Sequence, residues 1–369
     1  MNIGITINTA INPRNSSINQ LIIFIADTLA RAGHKCFLVT NKKFNPRHKS
    51  SGFDILRAGH FLARFDPHEK SPTPFDVCIE AGFQYEADVA KELKRKNPTC
   101  KFIYLCLEDH YMLDSEMSTS NHPNPPQRLI RQFDQIWTWD HLARTIPYLE
   151  ATYACPAKTV PLIWDSKFLG EEIRDLKIKG KSPFYKSEEK NTVCIFEENK
   201  NITSTCLLPL AICEKLNHKH PDIIDKVIIT NCEKIRTSTR FKQLSANLSI
   251  CKLTPPKVFL NNKWRNPQAL SRWGKVIITN HLQGDLEVRH LEFLHLGFPL
   301  LHNSEAIKEF AYYYDVRNIQ NAVNQLRYAL TMHDENLDYY KGQAKECLAK
   351  FSTTNQKNIN AYDTIVKIL

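Results

Sequence analysis

The chain predicts an α/β fold made of two successive halves, each a parallel sheet covered by helices on both faces. Three observations carry this. Short apolar, β-branched runs alternate with helix-length segments along most of the 369 residues. The alternation breaks once, over a polar stretch at 175–191, and then resumes. The segment 275–315, KVIITNHLQGDLEVRHLEFLHLGFPLLHNSEAIKEFAYYYD, parses as strand, loop, helix, strand and loop.

The elements follow in order. Residues 2–8 read as an apolar strand, Ser16 or Ser17 caps a helix over 18–32, and Gly33-His34 ends it before a strand at 36–40. Strands are expected at 75–80, 102–107 and 135–139, with helices at 85–96 and 126–133 between them. The stretch 175–191, DLKIKGKSPFYKSEEKN, contains Gly180 and Pro183 and has no period, so it reads as a linker between a domain at 1–174 and one at 192–350. In the second half, strands are expected at 192–196, 226–230 and 257–259 and helices at 206–216 and 267–273. Val276 to Thr279 then form a strand, Leu291, Leu294 and Leu296 recur along a helix, Gly297 stops it, and Pro299-Leu-Leu-His302 restarts an extended run. Helical segments at 317–332, 339–349 and 354–369 close the chain, the region 351–369 being expected to pack back on the first domain.

The totals bound the function. At 42% apolar and 24% charged residues this is an ordinary globular composition. No apolar run approaches the roughly 18 residues that span a bilayer, and the amino terminus MNIGITINTAINP lacks the pattern of a secretory signal, so a cytoplasmic protein is expected. Eleven cysteines without a C-x-x-C pair read as reduced, buried thiols. His290 and His295 are five apart, which does not set both imidazoles on one helix face, so no metal site is expected. A net charge of +10 favours polyanions: nucleotide phosphates, nucleic acid or an anionic membrane face.

The loop Asn280-His-Leu-Gln-Gly284 lies at the carboxyl end of a strand and the amino end of a helix, where α/β proteins hold anionic ligands on free backbone N–H groups. The segment His290-Leu-Glu292-Phe-Leu-His-Leu-Gly297-Phe-Pro299 resembles the L-E-A-x-x-x-G-x-P-V segment of GT-B glycosyltransferases of the retaining bacterial family-four type. Arg31-Ala-Gly-His34-Lys-Cys-Phe-Leu-Val-Thr40 is similar to the close of the first βαβ unit in the same enzymes. A nearer resemblance, to a bacterial and phage family of GT-B-like proteins, rests on Pro161-Leu-Ile-Trp164-Asp165, Phe196-Glu197-Glu-Asn199, Pro299-Leu-Leu-His302-Asn303-Ser304 and Tyr312-Tyr-Tyr-Asp315. These resemblances imply two Rossmann-like domains facing across a cleft that holds a nucleotide-sugar, retention of configuration, and no required cofactor or divalent metal. The sequence departs from the family at Gly284, where a glutamate eight positions before Glu292 would contact the sugar, and at Asn8 to Ser16, which replaces a glycine-rich loop.

Candidate residues follow from these two readings. The resemblance makes Glu292 the ligand of the donor ribose, and a carboxylate on an apolar helix face needs hydrogen-bond donors such as ribose hydroxyls. Gln283, Gly284 and Asp285 stand at the helix head for the diphosphate, Asp285 serving equally as a helix N-cap; Asn199 and Lys200 follow the first strand of the second half, with Lys200 offering a point charge to the phosphates. His281, His302 and Asn303, at neighbouring strand ends, complete the donor set. In the first half Glu108-Asp109-His110 follows a strand: the resemblance makes His110 a contact to the reacting centre, with Asp109 as its catalytic neighbour and Glu108 and Asn15 on the acceptor side. The expected activity is transfer of a sugar from a nucleotide-sugar to an acceptor hydroxyl in glycan or surface polysaccharide assembly. A glycan, a lipid-linked acceptor or phage DNA each fits the charge, as does peripheral contact with an anionic inner membrane. A non-catalytic nucleotide-sugar-binding protein is the alternative from another class.

Overall fold

The computed structural model describes residues 1–40, 61–64, 74–119, 133–187 and 190–369, with backbone alone at 61–64. The helix expected at 126–133 lies, except for its last position, outside these residues. The chain divides into two compact units, Met1–Phe168 with Lys350–Leu369, and Leu169–Ala349.

The first unit is built on seven strands: β1 (Asn2–Thr6), β2 (Lys35–Thr40), β3 (Phe61–Arg64), β4 (Val77–Glu80), β5 (Lys101–Cys106), β6 (Gln135–Trp139) and β7 (Ala157–Val160). All pair in parallel, in the order β3-β2-β1-β4-β5-β6-β7. Ile3, Ile5, Leu38, Val39 and Ile79 are fully buried, as expected of strands covered on both faces. The helix Ser17–Arg31 starts where Ser16 Oγ accepts the Asn19 N–H at 3.2 Å, the capping expected from the sequence. Strand order reverses between β1 and β4, and there the loops close tightly. Gly82 N–H donates to Thr6 O at 3.0 Å, and a Cβ on Gly82 would lie 2.6 Å from Ile7 Cα, so only glycine permits this approach.

The chain's end belongs to this first unit. Trp164 N–H donates to Phe351 O at 2.7 Å, and the helix Gln356–Lys367 sends the Tyr362 hydroxyl to Pro161 O at 2.8 Å and its ring edge-on against Trp137. The fully buried Trp137, and Trp139 and Trp164 beside it at low exposure, are core residues.

The second unit has six parallel strands: β8 (Thr192–Ile195), β9 (Lys226–Ile229), β10 (Val258–Leu260), β11 (Val276–Ile278), β12 (Leu300–His302) and β13 (Tyr312–Tyr313), ordered β10-β9-β8-β11-β12-β13. Strand order reverses between β8 and β11, the switch point at which α/β sheets place ligands. The stretch expected to be a linker from 175 begins inside the helix Lys167–Ile178, whose apolar residues Phe168, Leu169, Ile173 and Leu176 sit at helical spacing and are buried. All eleven cysteines are free thiols, nine of them buried. Among the described residues no helix is long and apolar enough to cross a membrane, and no group of three or more His, Cys, Asp or Glu side chains is arranged to hold a metal ion.

Candidate functional site

The carboxyl ends of β8, β11 and β12 converge around Glu197, which follows β8 and is fully buried. Its Oε1 accepts the Asn280 N–H at 2.8 Å, just after β11, and its Oε2 accepts from the Ser204 hydroxyl at 2.5 Å and from Arg289 Nη2 at 3.2 Å. Arg289, in the first turn of the helix Val288–His295, also donates from Nη2 to Glu287 Oε1 at 2.6 Å and to Ser204 Oγ at 2.8 Å, and from Nη1 to Phe196 O. Its Nε lies 2.5 Å from Glu287 Oε2. Burial opposes the guanidinium charge, but Glu287 and Glu197 overcome it and hold Arg289 firmly protonated. Burial lifts the Glu197 carboxyl well above the carboxylate range, against the pull of Arg289 and with Glu287 adding to the rise.

A second set of bonds fixes the loop between β11 and its helix. The Asn303 side chain, beyond β12, accepts the His281 N–H at 2.9 Å and donates to His281 O at 2.6 Å; Glu305 N–H donates to Gly284 O at 3.1 Å. On the other side Leu282 N–H donates to Thr203 O at 2.8 Å, and Ser204 bridges His281 in antiparallel fashion. Gly284 has φ +69, and a Cβ there would stand 2.9 Å from Asn303 O. No side chain fits at Gly284 without moving the loop, which is the physical reason the resemblance fails there. The N-cap is Glu287, not Asp285, and its own N–H donates to His290 Nδ1 at 3.1 Å while His290 Nε2 meets Thr279 Oγ1 at 2.9 Å. Asp285 is instead buried in the loop, with Oδ2 3.3 Å from His281 Nδ1.

The expected donor residues therefore divide. Glu292 points from the same helix, partly exposed, with Oε2 accepting from Asn266 Nδ2 at 2.9 Å; burial raises its carboxyl despite that bond. Gln283 and Lys200 are exposed, Lys200 pairing with Glu198. Asn199 is spent internally: its Oδ1 accepts Cys206 N–H at 2.9 Å and its Nδ2 donates to Glu197 O at 3.1 Å and Thr230 O at 3.2 Å. His302 is fully buried, Nδ1 accepting from Ser304 N–H at 3.1 Å and Nε2 facing Phe310 O at 2.9 Å, which fixes a neutral Nε2–H imidazole. Burial lowers its pKa to about 4.

In the first unit, Glu108 is exposed beyond the end of β5 and Asn15 is exposed at the close of the turn Pro13–Asn15 that precedes the helix Ser17–Arg31, while Asp109 and His110 are buried. Asp109 Oδ1 accepts Met112 N–H at 3.0 Å at the head of the helix His110–Thr119, and Oδ2 accepts from Arg144 Nη2 at 2.9 Å. His110 opens that helix, buried, with Nε2 3.4 Å from the Tyr104 hydroxyl. Asp109, three residues past β5, takes the capping position of this helix.

Sequence reading missed Glu197, Ser204, Arg289 and Tyr314 as a group. Tyr314 is fully buried and its hydroxyl donates to Thr279 O at 2.8 Å. The signal was present: an acidic residue directly after an all-apolar strand, and an arginine in the first turn of a mostly apolar helix, each need a partner.

Comparison with solved structures places this geometry in a known fold. A glycosyltransferase from Rickettsia africae ESF-5 aligns with TM-score 0.56 and 11% identity over 99% of this chain and 98% of its own. HepE from Anabaena, solved with UDP and glucose, gives 0.55 and 10% over 96% and 97%. A trehalose-6-phosphate synthase studied for glycosyl transfer with retention gives 0.57 and 10% over 100% and 99%. At such identities the likeness defines the fold: two Rossmann-like domains of the GT-B type. A search of curated protein sequences finds no match. A family model matches residues 3–366, nearly the whole sequence, and the chain belongs to that family, described as Protein of unknown function (DUF2827).

Proposed function

We propose that this chain is a glycosyltransferase that takes a sugar from a nucleotide-sugar and passes it to an acceptor hydroxyl. The observation that carries the reading is the second unit's switch point. There a loop of fixed backbone, 280–287, leads into a helix that bears Glu292 one turn beyond its head. In this reading the positive end of the helix dipole holds the diphosphate, Lys200 supplies further positive charge, and Glu292 accepts from the ribose hydroxyls. The charge that grows on the departing diphosphate is then met by donors already in place. The GT-B neighbours solved with UDP and glucose, or studied for transfer with retention, support a nucleotide-sugar donor and a retaining course. A metal-independent reaction in glycan or surface polysaccharide assembly, on the cytoplasmic side of the membrane, completes the proposal.

One observation favours a second reading. Gly284 leaves no room for the glutamate that would contact the sugar, as expected of a protein that binds nucleotide-sugars without turning them over. The experiment that separates the two is nucleotide release from a panel of nucleotide-sugars, with acceptor sugars supplied. Release from one donor, falling by about 100-fold or more in kcat/KM in Glu292→Ala, is the expected result, a loss of roughly 3 kcal/mol. Binding with no release supports the second reading, and unchanged release in the variant removes Glu292 from the site.

A further inference from the structure

Glu197 takes no part in the chemistry proposed above, yet its carboxylate is bound to three pieces of the switch point. It sits on β8's end, receives the first N–H of the 280–287 loop, receives the Ser204 hydroxyl from the 199–204 loop, and faces the arginine in the first turn of the helix that carries Glu292. The Asn231 amide donates to Glu197 O at 3.0 Å, which fixes the backbone from β9's side. Arg289, the cation nearest the helix head, is held by Glu287, Glu197, Ser204 and Phe196 O, so its guanidinium is committed inside the protein and is not offered to a phosphate.

We propose that Glu197, with Arg289 as its counter-ion and Ser204 as its link, is the positioning residue of the nucleotide-sugar site: it sets the spacing between the 199–204 and 280–287 loops. The proposal rests on the donor-site reading given above. Three contacts converge on one carboxylate, and two of them cross from β8 to other elements, so Glu197 adds to the direct bonds that hold the two loops in register. Leu282 N–H to Thr203 O and the Ser204–His281 bridge complete the zipper that the carboxylate starts. The buried pair thus serves geometry rather than stability, the role that best accounts for retaining an ion pair that an apolar pair would replace at little cost.

The test uses the full chain and the variants Glu197→Gln and Ser204→Ala. Glutamine keeps an acceptor for Asn280 N–H and places an amide against Arg289 and Ser204. Amide hydrogen exchange without any ligand is expected to quicken about tenfold in 199–204 and 280–285 together, the equivalent of one charge-assisted hydrogen bond, with the strands of the sheet unchanged. Donor KM is expected to rise by a similar factor while kcat changes less than about threefold. Ser204→Ala, a smaller deletion that guards against a variant that fails to fold, should move both readouts in the same direction by about threefold. Unchanged exchange in both loops, exchange that quickens throughout the second unit, or a fall in kcat at constant KM overturns the proposal. Absence of release from every donor by the unmodified protein would instead refute the reading of the reaction, and the loop exchange would still decide the role of Glu197.

Discussion

Replacing Arg289 with methionine is expected to destabilise the second unit by about 3–5 kcal/mol, the range found when one partner of a buried ion pair is removed. Glu197 is fully buried and the Arg289 side chain is only 10% exposed. Methionine fills much of the volume and supplies none of the charge, leaving Glu197 and Glu287 with no cation and the Phe196 carbonyl without its donor. The check is urea unfolding of both proteins, with the midpoint and slope compared so that stability is separated from a change in the unfolded state. Adding Glu197→Gln to the variant should recover part of the loss, because one of the stranded charges is then gone, and the double-mutant cycle should report coupling well above 1 kcal/mol. A loss below about 1 kcal/mol in the single variant would mean that water or a rearranged loop satisfies the carboxylates.

Acid should weaken the second unit through its buried histidines. Burial lowers both His302 and His333 to about 4, from an ordinary value of 6.5. A depressed folded-state value means that the unfolded chain takes up the proton first, so the stability from each imidazole is complete above about pH 6.5 and is withdrawn as pH falls toward 4. His302 alone should cost about 2–3 kcal/mol between pH 7 and 4.5. Glu197 acts with the opposite sign, since burial raises its carboxyl and favours the folded state on acidification. The clean observable is a difference: the stability of His302→Gln should fall less than that of the unmodified protein over this interval. Equal slopes would show that His302 is free to charge in the folded state.

The strands around 192–195, 276–278 and 300–302 and the helix ending before Gly297 were legible because each is an unbroken apolar run or a repeating stripe bounded by a turn residue. The edge strand β7, reading AKTV, was not, since it has only two apolar residues and its pairing with β6 is what makes it a strand. The helix Lys167–Ile178 was not read from the sequence, and its last turn, DLKI, merges into the polar segment taken as a linker. At the site, the loop 280–284 and a helix carrying Glu292 were visible from local pattern, although the loop runs on to Glu287 and the helix starts at Val288 rather than beside Asp285. The Glu197 to Arg289 pair spans 92 positions, and nothing in either neighbourhood names the other partner. Asn199, taken for a ligand of the donor, turns out to tie Cys206 and Thr230 to its own strand end, a role set by a backbone at φ +52 that the sequence does not display.

The most direct test of the donor site is a hydrogen-exchange footprint of the full chain with UDP, GDP or ADP at saturating concentration. The account predicts that one nucleoside diphosphate slows exchange in the loops 199–204 and 280–287 and in the first turns of the helix Val288–His295, the segments that close the β8–β11 switch point. Protection confined to the first unit, or none with any of the three, would contradict it.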